Sequence, residues 1–133
     1  MNIEVIDLDV SLTENFVKFC CKELNVSPSL ITIEGWEEDF PGEGGEAVGL
    51  CYEVNCKDEY LIMVSKADRN VTEIYDTIAH EMIHVKQFML DNLEKVRLEE
   101  ERPVYAERWY EIEATNKSYA LVKKYVDILM QLD

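Results

Sequence analysis

Both histidines of this 133-residue chain fall in one short segment, His80-Glu81-Met82-Ile83-His84. On a helix, two histidines four positions apart project from the same face, one turn apart. Their imidazoles can then hold a single zinc ion, while the glutamate between them reaches a water molecule on that ion. The chemistry on offer is metal-assisted hydrolysis. Zinc lowers the pKa of water towards neutrality and polarises a carbonyl. Glu81 is placed to act as general base, taking the water's proton and delivering it to the leaving amine.

A catalytic zinc takes three protein ligands and keeps one position open. The chain has no third histidine, so the missing ligand is expected to be a carboxylate, with a cysteine thiolate less favoured. The helical stretch after Pro103 carries Glu107, Glu111 and Glu113. Glu107 and Glu111 share a helix face with Ala114, Thr115 and Ser118, and small residues permit close approach to a second helix. Glu113 points about 200° away from Glu111 around the axis. This geometry ranks Glu111 first, Glu107 second and Glu113 third.

His80-Glu81-Met82-Ile83-His84, followed by Tyr110-Glu111-Ile112-Glu113-Ala114-Thr115, resembles the gluzincin metallopeptidases. It is most similar to small cytoplasmic or phage-encoded members, the minigluzincin and ImmA/IrrE-like types. The resemblance implies a zincin-like fold, a zinc cofactor and peptide-bond hydrolysis. It also implies that Glu111 opens a downstream E-x-x-A pattern as third ligand, with Ala114 at the small position. Thr115 stands where those families more usually carry Asn or Asp. Its hydroxyl can hydrogen-bond a ligating histidine, though more weakly than a carboxylate does. Tyr105, Tyr110 and Tyr119 lie near the second motif as possible oxyanion donors, and the sequence does not choose among them.

These residues need elements to position them. Asn70 is expected to cap the helix that bears the histidines, with Glu73 closing a capping box. Val71, Ile74, Ile78, Met82, Val85 and Met89 form its apolar stripe. The histidines lie nearly opposite that stripe, together with Glu73, Thr77 and Gln87. The stripe should pack on a sheet while the histidines face a cleft. An earlier helix is predicted over Leu12 to Val26, capped by Ser11 or Thr13. Leu30 to Glu34, Val48 to Val54 and Tyr60 to Val64 read as strands, the last two joined as a hairpin through Asn55-Cys56-Lys57-Asp58. Gly35-Trp36 and the stretch from Asp39 to Gly45 read as a mobile acidic loop, and Glu37-Glu38-Asp39 as solvated surface. After Pro103, the residues Val104, Trp109, Ile112, Ala120, Val122, Val126 and Leu129 supply apolar surface to one or two helices.

Bulk properties narrow the function classes. The 28 acids against 13 basic residues give a net charge of -15, which disfavours a phosphate backbone and so nucleic-acid partners. No apolar run approaches the roughly 20 residues of a membrane span. The opening Met1 to Asp7 lacks the pattern of a signal peptide, which points to the cytoplasm. Cys20, Cys21, Cys51 and Cys56 form no C-x-x-C pair and read as free thiols, the apolar-flanked ones buried and Cys56 exposed.

The expectation is one α+β domain spanning residues 1–133. A small antiparallel sheet packs against the H-E-x-x-H helix, with an N-terminal helix and a long C-terminal helical segment. Its expected function is zinc-dependent hydrolysis of a peptide or protein substrate, with His80, His84 and Glu111 on the metal and Glu81 as base. The alternative is a zincin-fold metal-binding protein without peptidase activity, acting as a partner-binding or regulatory module.

Overall fold

Buried and less buried side chains alternate along Leu30–Trp36 (β2) and Glu59–Ser65 (β6), placing Ile31, Ile33, Tyr60, Ile62 and Val64 on one inner face. The computed structural model describes residues 1–42, 45–55, 58–91, 93 and 109–131. Its chain order is β1 (Asn2–Ile6), α1 (Val10–Leu24), β2, β3 (Phe40–Gly42), β4 (Gly45–Ala47), β5 (Gly49–Asn55), β6, α2 (Val71–Leu90) and α3 (Trp109–Gln131). The architecture is α+β, with a four-stranded sheet of order β1-β2-β6-β5.

The sheet is mixed, which corrects the antiparallel expectation. β1 runs parallel to β2, and β2 runs parallel to β6; within this sheet only β5 and β6 pair antiparallel. A strand at Asn2–Ile6 was not foreseen, because its side chains are only partly covered. Once β1 exists, α1 supplies the crossover that parallel neighbours require. β5 then occupies the outer edge, and β6 turns back between it and β2. The β5–β6 hairpin matches expectation, although Cys56 and Lys57 lie outside the described residues. In place of a loop, Phe40–Gly42 and Gly45–Ala47 pair as a separate antiparallel ribbon.

Helix boundaries follow local chemistry. Asp9, not Ser11 or Thr13, caps α1: its carboxylate accepts the Leu12 N–H at 2.9 Å. Asn25 ends α1 in the left-handed region, at φ 56°, as an amide side chain tolerates. Asn70 and Glu73 close the expected capping box on α2. Of the expected stripe, Ile78, Met82 and Val85 are fully buried, whereas Val71 in the exposed first turn is not.

α2 packs against β5 and β6 on one side and against α3 on the other. Phe16 of α1 stacks on Tyr75 of α2 and meets Tyr125 of α3 edge-on, tying three helices at one point. α3 is one continuous helix through its described length. Its buried face matches the expected apolar set only in part: Val122 is buried and Val126 packs against the core, Trp109, Ile112, Ala120 and Leu129 are exposed, and Tyr110, Glu111, Ala114, Ser118, Leu121 and Tyr125 also face inwards. Glu111, Ala114 and Ser118 hold the part of that face beside the histidines, where α3 must approach α2 closely, and Leu121, Val122 and Tyr125 continue it as apolar core. Among the described residues, no helix is long and apolar enough to cross a membrane. Cys20, Cys21 and Cys51 are buried, and burial pushes the Cys21 thiol up to about 11.

Candidate metal centre

His80 and His84 stand one turn apart on α2, their ring centroids 4.9 Å apart. Glu111 enters from the first turn of α3. Nε2 of His80 lies 3.0 Å from Glu111 Oε1, and Nε2 of His84 lies 2.9 Å from the same oxygen. The ligand atoms of the three residues all fall within 4.8 Å of one another. Ligand atoms around a tetrahedral zinc stand roughly 3.3 Å apart, given metal–ligand bonds of about 2.0–2.1 Å. The spacing therefore fits a metal ion, and a His-His-Glu donor set is suited to one.

His84 and Glu111 are buried, whereas His80 keeps partial access to solvent. Burial alone would lower the His84 pKa. The Glu111 hydrogen bond, the nearby Glu81 charge and the Gln87 hydrogen bond outweigh it, and the His84 imidazole is held above its ordinary value. Without metal, this cluster therefore favours a proton where a cation would otherwise sit.

Glu81 is buried on the same helix, beyond the His-His-Glu group, and its carboxylate is directed at β5. Gly49 makes room for it. A Cβ at Gly49 would stand 2.6 Å from Thr77 Cγ2 and 2.9 Å from Glu81 Oε2, closer than real Cβ contacts come.

The other expected residues divide. Glu107 and Tyr105 lie outside the described residues, as do Pro103, Val104 and the connector at 94–102. Glu113 does not join the cluster: it sits on the other flank of α3, bonded to Gln87, Lys86 and Lys117. Burial would raise its carboxyl, but the hydrogen bonds from Gln87, Lys117 and Lys86 hold it below its usual value. Thr115 lines the cleft beside His80 and makes no side-chain hydrogen bond to either histidine. Tyr110 is buried with its ring 6.4 Å from that of His84, and Tyr119 stands exposed at the cleft. Asp39, expected in the acidic loop, is held by hydrogen bonds from Arg69 and Ser65.

Two contributors had no role assigned from sequence. Gln87 shares the histidine side of α2, and its Oε1 lies 2.7 Å from His84 Nδ1. Its signal was its type and place, a polar residue three positions after a ligand on the same helix. Gly49 carried no signal beyond being a glycine inside a strand.

A cleft of about 600 Å³ opens between α2 and α3 beside His80, lined by Thr77, Thr115, Ser118, Tyr119 and Val122, with Val48 at its edge. That size admits a side chain or a short stretch of peptide. No protein-family model, curated protein or solved structure matches this chain.

Proposed function

We propose that this chain is a zinc-dependent peptidase of gluzincin type. The observation that carries the reading is the convergence of His80, His84 and Glu111 on one point next to a cleft. When bound, zinc supplies Lewis-acid activation of water and of the scissile carbonyl. His80 and His84 would hold it through Nε2, and Glu111 through its carboxylate. Two histidines and one carboxylate also suit Fe(II), and it is the buried glutamate between the histidines that favours hydrolysis and zinc. Glu81 takes a proton from water on its carboxylate and returns it to the leaving nitrogen. The cleft beside His80 receives the peptide. The buried free thiols of Cys20 and Cys21 suit a reducing, cytoplasmic compartment.

The test is Glu81→Gln. The variant should bind zinc as the native chain does and lose about 10²- to 10⁴-fold in hydrolysis of a peptide library. Cleavage by the native chain should stop in a chelator. Undiminished cleavage by the variant would sink the mechanism. Zinc uptake with no cleavage of any peptide would instead make the protein a metal-binding module, the second function its sequence allows.

A further inference from the structure

Gln87 is fully buried on α2, three residues beyond His84. A buried amide must satisfy both of its ends. Its Nε2 donates to the Tyr110 carbonyl at 2.9 Å and to Glu113 Oε1 at 2.9 Å, both in the first turns of α3. A carbonyl and a carboxylate paired with Lys86 and Lys117 only accept. The NH₂ end of Gln87 is therefore fixed towards α3, and the amide oxygen must face His84. An amide oxygen 2.7 Å from Nδ1 requires an N–H there. Nδ1 keeps its proton, and Nε2 becomes the ring nitrogen presented to Glu111 and to a metal.

We propose that Gln87, oriented by Glu113 and the Tyr110 carbonyl, is the positioning residue that selects the Nδ1–H tautomer of His84 and aims its Nε2 at the metal. Partners of this kind fix both ring orientation and ligand basicity. The relay also explains how this chain manages without a hydrogen bond from Thr115 to the histidines. The support comes instead from the opposite flank of α3, the flank of Glu113. One helix therefore delivers both the third ligand, Glu111, and the anchor of the second ligand's support.

The inference rests on reading His80, His84 and Glu111 as a metal centre, but not on peptidase activity. Zinc affinity of the full chain would be measured by competition with a chromophoric chelator. Gln87→Leu, close to glutamine in volume, should weaken zinc binding roughly 10- to 100-fold. Glu113→Gln should weaken it by a smaller factor, since a neutral amide can present either end to Gln87. Histidine ¹⁵N NMR of the zinc-loaded native chain should show His84 protonated at Nδ1 and metal-bound at Nε2. Native affinity in both variants, or His84 bound through Nδ1, overturns the proposal and leaves the peptidase reading standing. Should Gln87→Leu fail to fold, the Glu113→Gln affinity and the native NMR signature decide. A native chain that takes up no zinc overturns both.

Discussion

Glu111 Oε1 stands 2.9 Å from His84 Nε2, and the oxygen that meets His84 also meets His80. One carboxylate atom thus draws two imidazoles from α2 towards α3. Losing that carboxylate should remove the third donor and leave two histidines that hold metal poorly. Glu111→Gln is expected to weaken zinc by at least about 100-fold, the upper range seen even for supporting partners. Glu107→Gln should leave affinity unchanged. Chelator competition on both variants checks this. A strong effect at Glu107 with none at Glu111 would reassign the ligand.

The pH dependence follows from His84. Its pKa is raised in the folded metal-free chain: burial opposes the shift, but the Glu111 hydrogen bond and the Glu81 charge prevail. A raised pKa means that the protonated ring stabilises the fold. That contribution is complete below the ordinary value of 6.5 and is lost as pH rises through the elevated one. Zinc needs Nε2 without its proton, so uptake should release a proton, and apparent affinity should rise with pH over the same window. Calorimetry in buffers of different ionisation enthalpy would read the proton directly. Zinc binding that is independent of pH across this window would contradict the coupling.

Gly49 offers a test of Glu81 that leaves the metal ligands untouched. A methyl at this position would collide with Thr77 Cγ2 and the Glu81 carboxylate. β5 is held along β6, and the flexible end of Glu81 gives way more cheaply than the strand backbone. Gly49→Ala should therefore displace the Glu81 side chain and cost about 1–3 kcal/mol of stability through overpacking. Zinc affinity should stay near native while hydrolysis falls at least about tenfold, as expected when a general base is misplaced. Equal losses in zinc affinity and hydrolysis would mean that the strand, rather than the base, had moved.

What the sequence made legible was local. The α2 cap, the H-E-x-x-H spacing and the β5–β6 hairpin each depend on residues a few positions apart, and each stands as expected. Glu111 was reachable because one helix face joins it to Ala114 and Ser118, both buried against α2. Strand partnership was harder to read. Asn2–Ile6 pairs with Leu30–Trp36 across a whole helix, and its own residues carry little sign of that. The inner face of α3 follows its apolar residues at Val122 and Val126 but departs from them in its first turns, for a related reason. Apolar content usually marks a buried face, but here the site claims that face for Glu111, Ala114 and Ser118, and Trp109 and Ile112 are left outside. The angle between Glu113 and Glu111 on the helix says nothing of Gln87 and Lys86, which meet Glu113 from α2.

The aromatic junction between the helices should govern how firmly α3 is held. Phe16 is fully buried, stacked on Tyr75 at 4.5 Å between centroids and edge-on to Tyr125 at 5.0 Å. Each ring comes from a different helix, so removing Phe16 opens a cavity where α1, α2 and α3 meet. Phe16→Ala should cost about 3–5 kcal/mol, read from denaturant unfolding of the metal-free chain. On the proposed reading, zinc would be held where the folded chain brings His80, His84 and Glu111 together, so excess metal should recover part of the loss. At 100 times the dissociation constant that recovery is about 2.7 kcal/mol. The recovery requires that His80, His84 and Glu111 still converge when the junction is weakened. If zinc restores nothing to a variant that still folds, holding α3 at this junction is a condition for forming the metal centre. A recovery near the full value would show that the Glu111 end of α3 is fixed by its own contacts with α2.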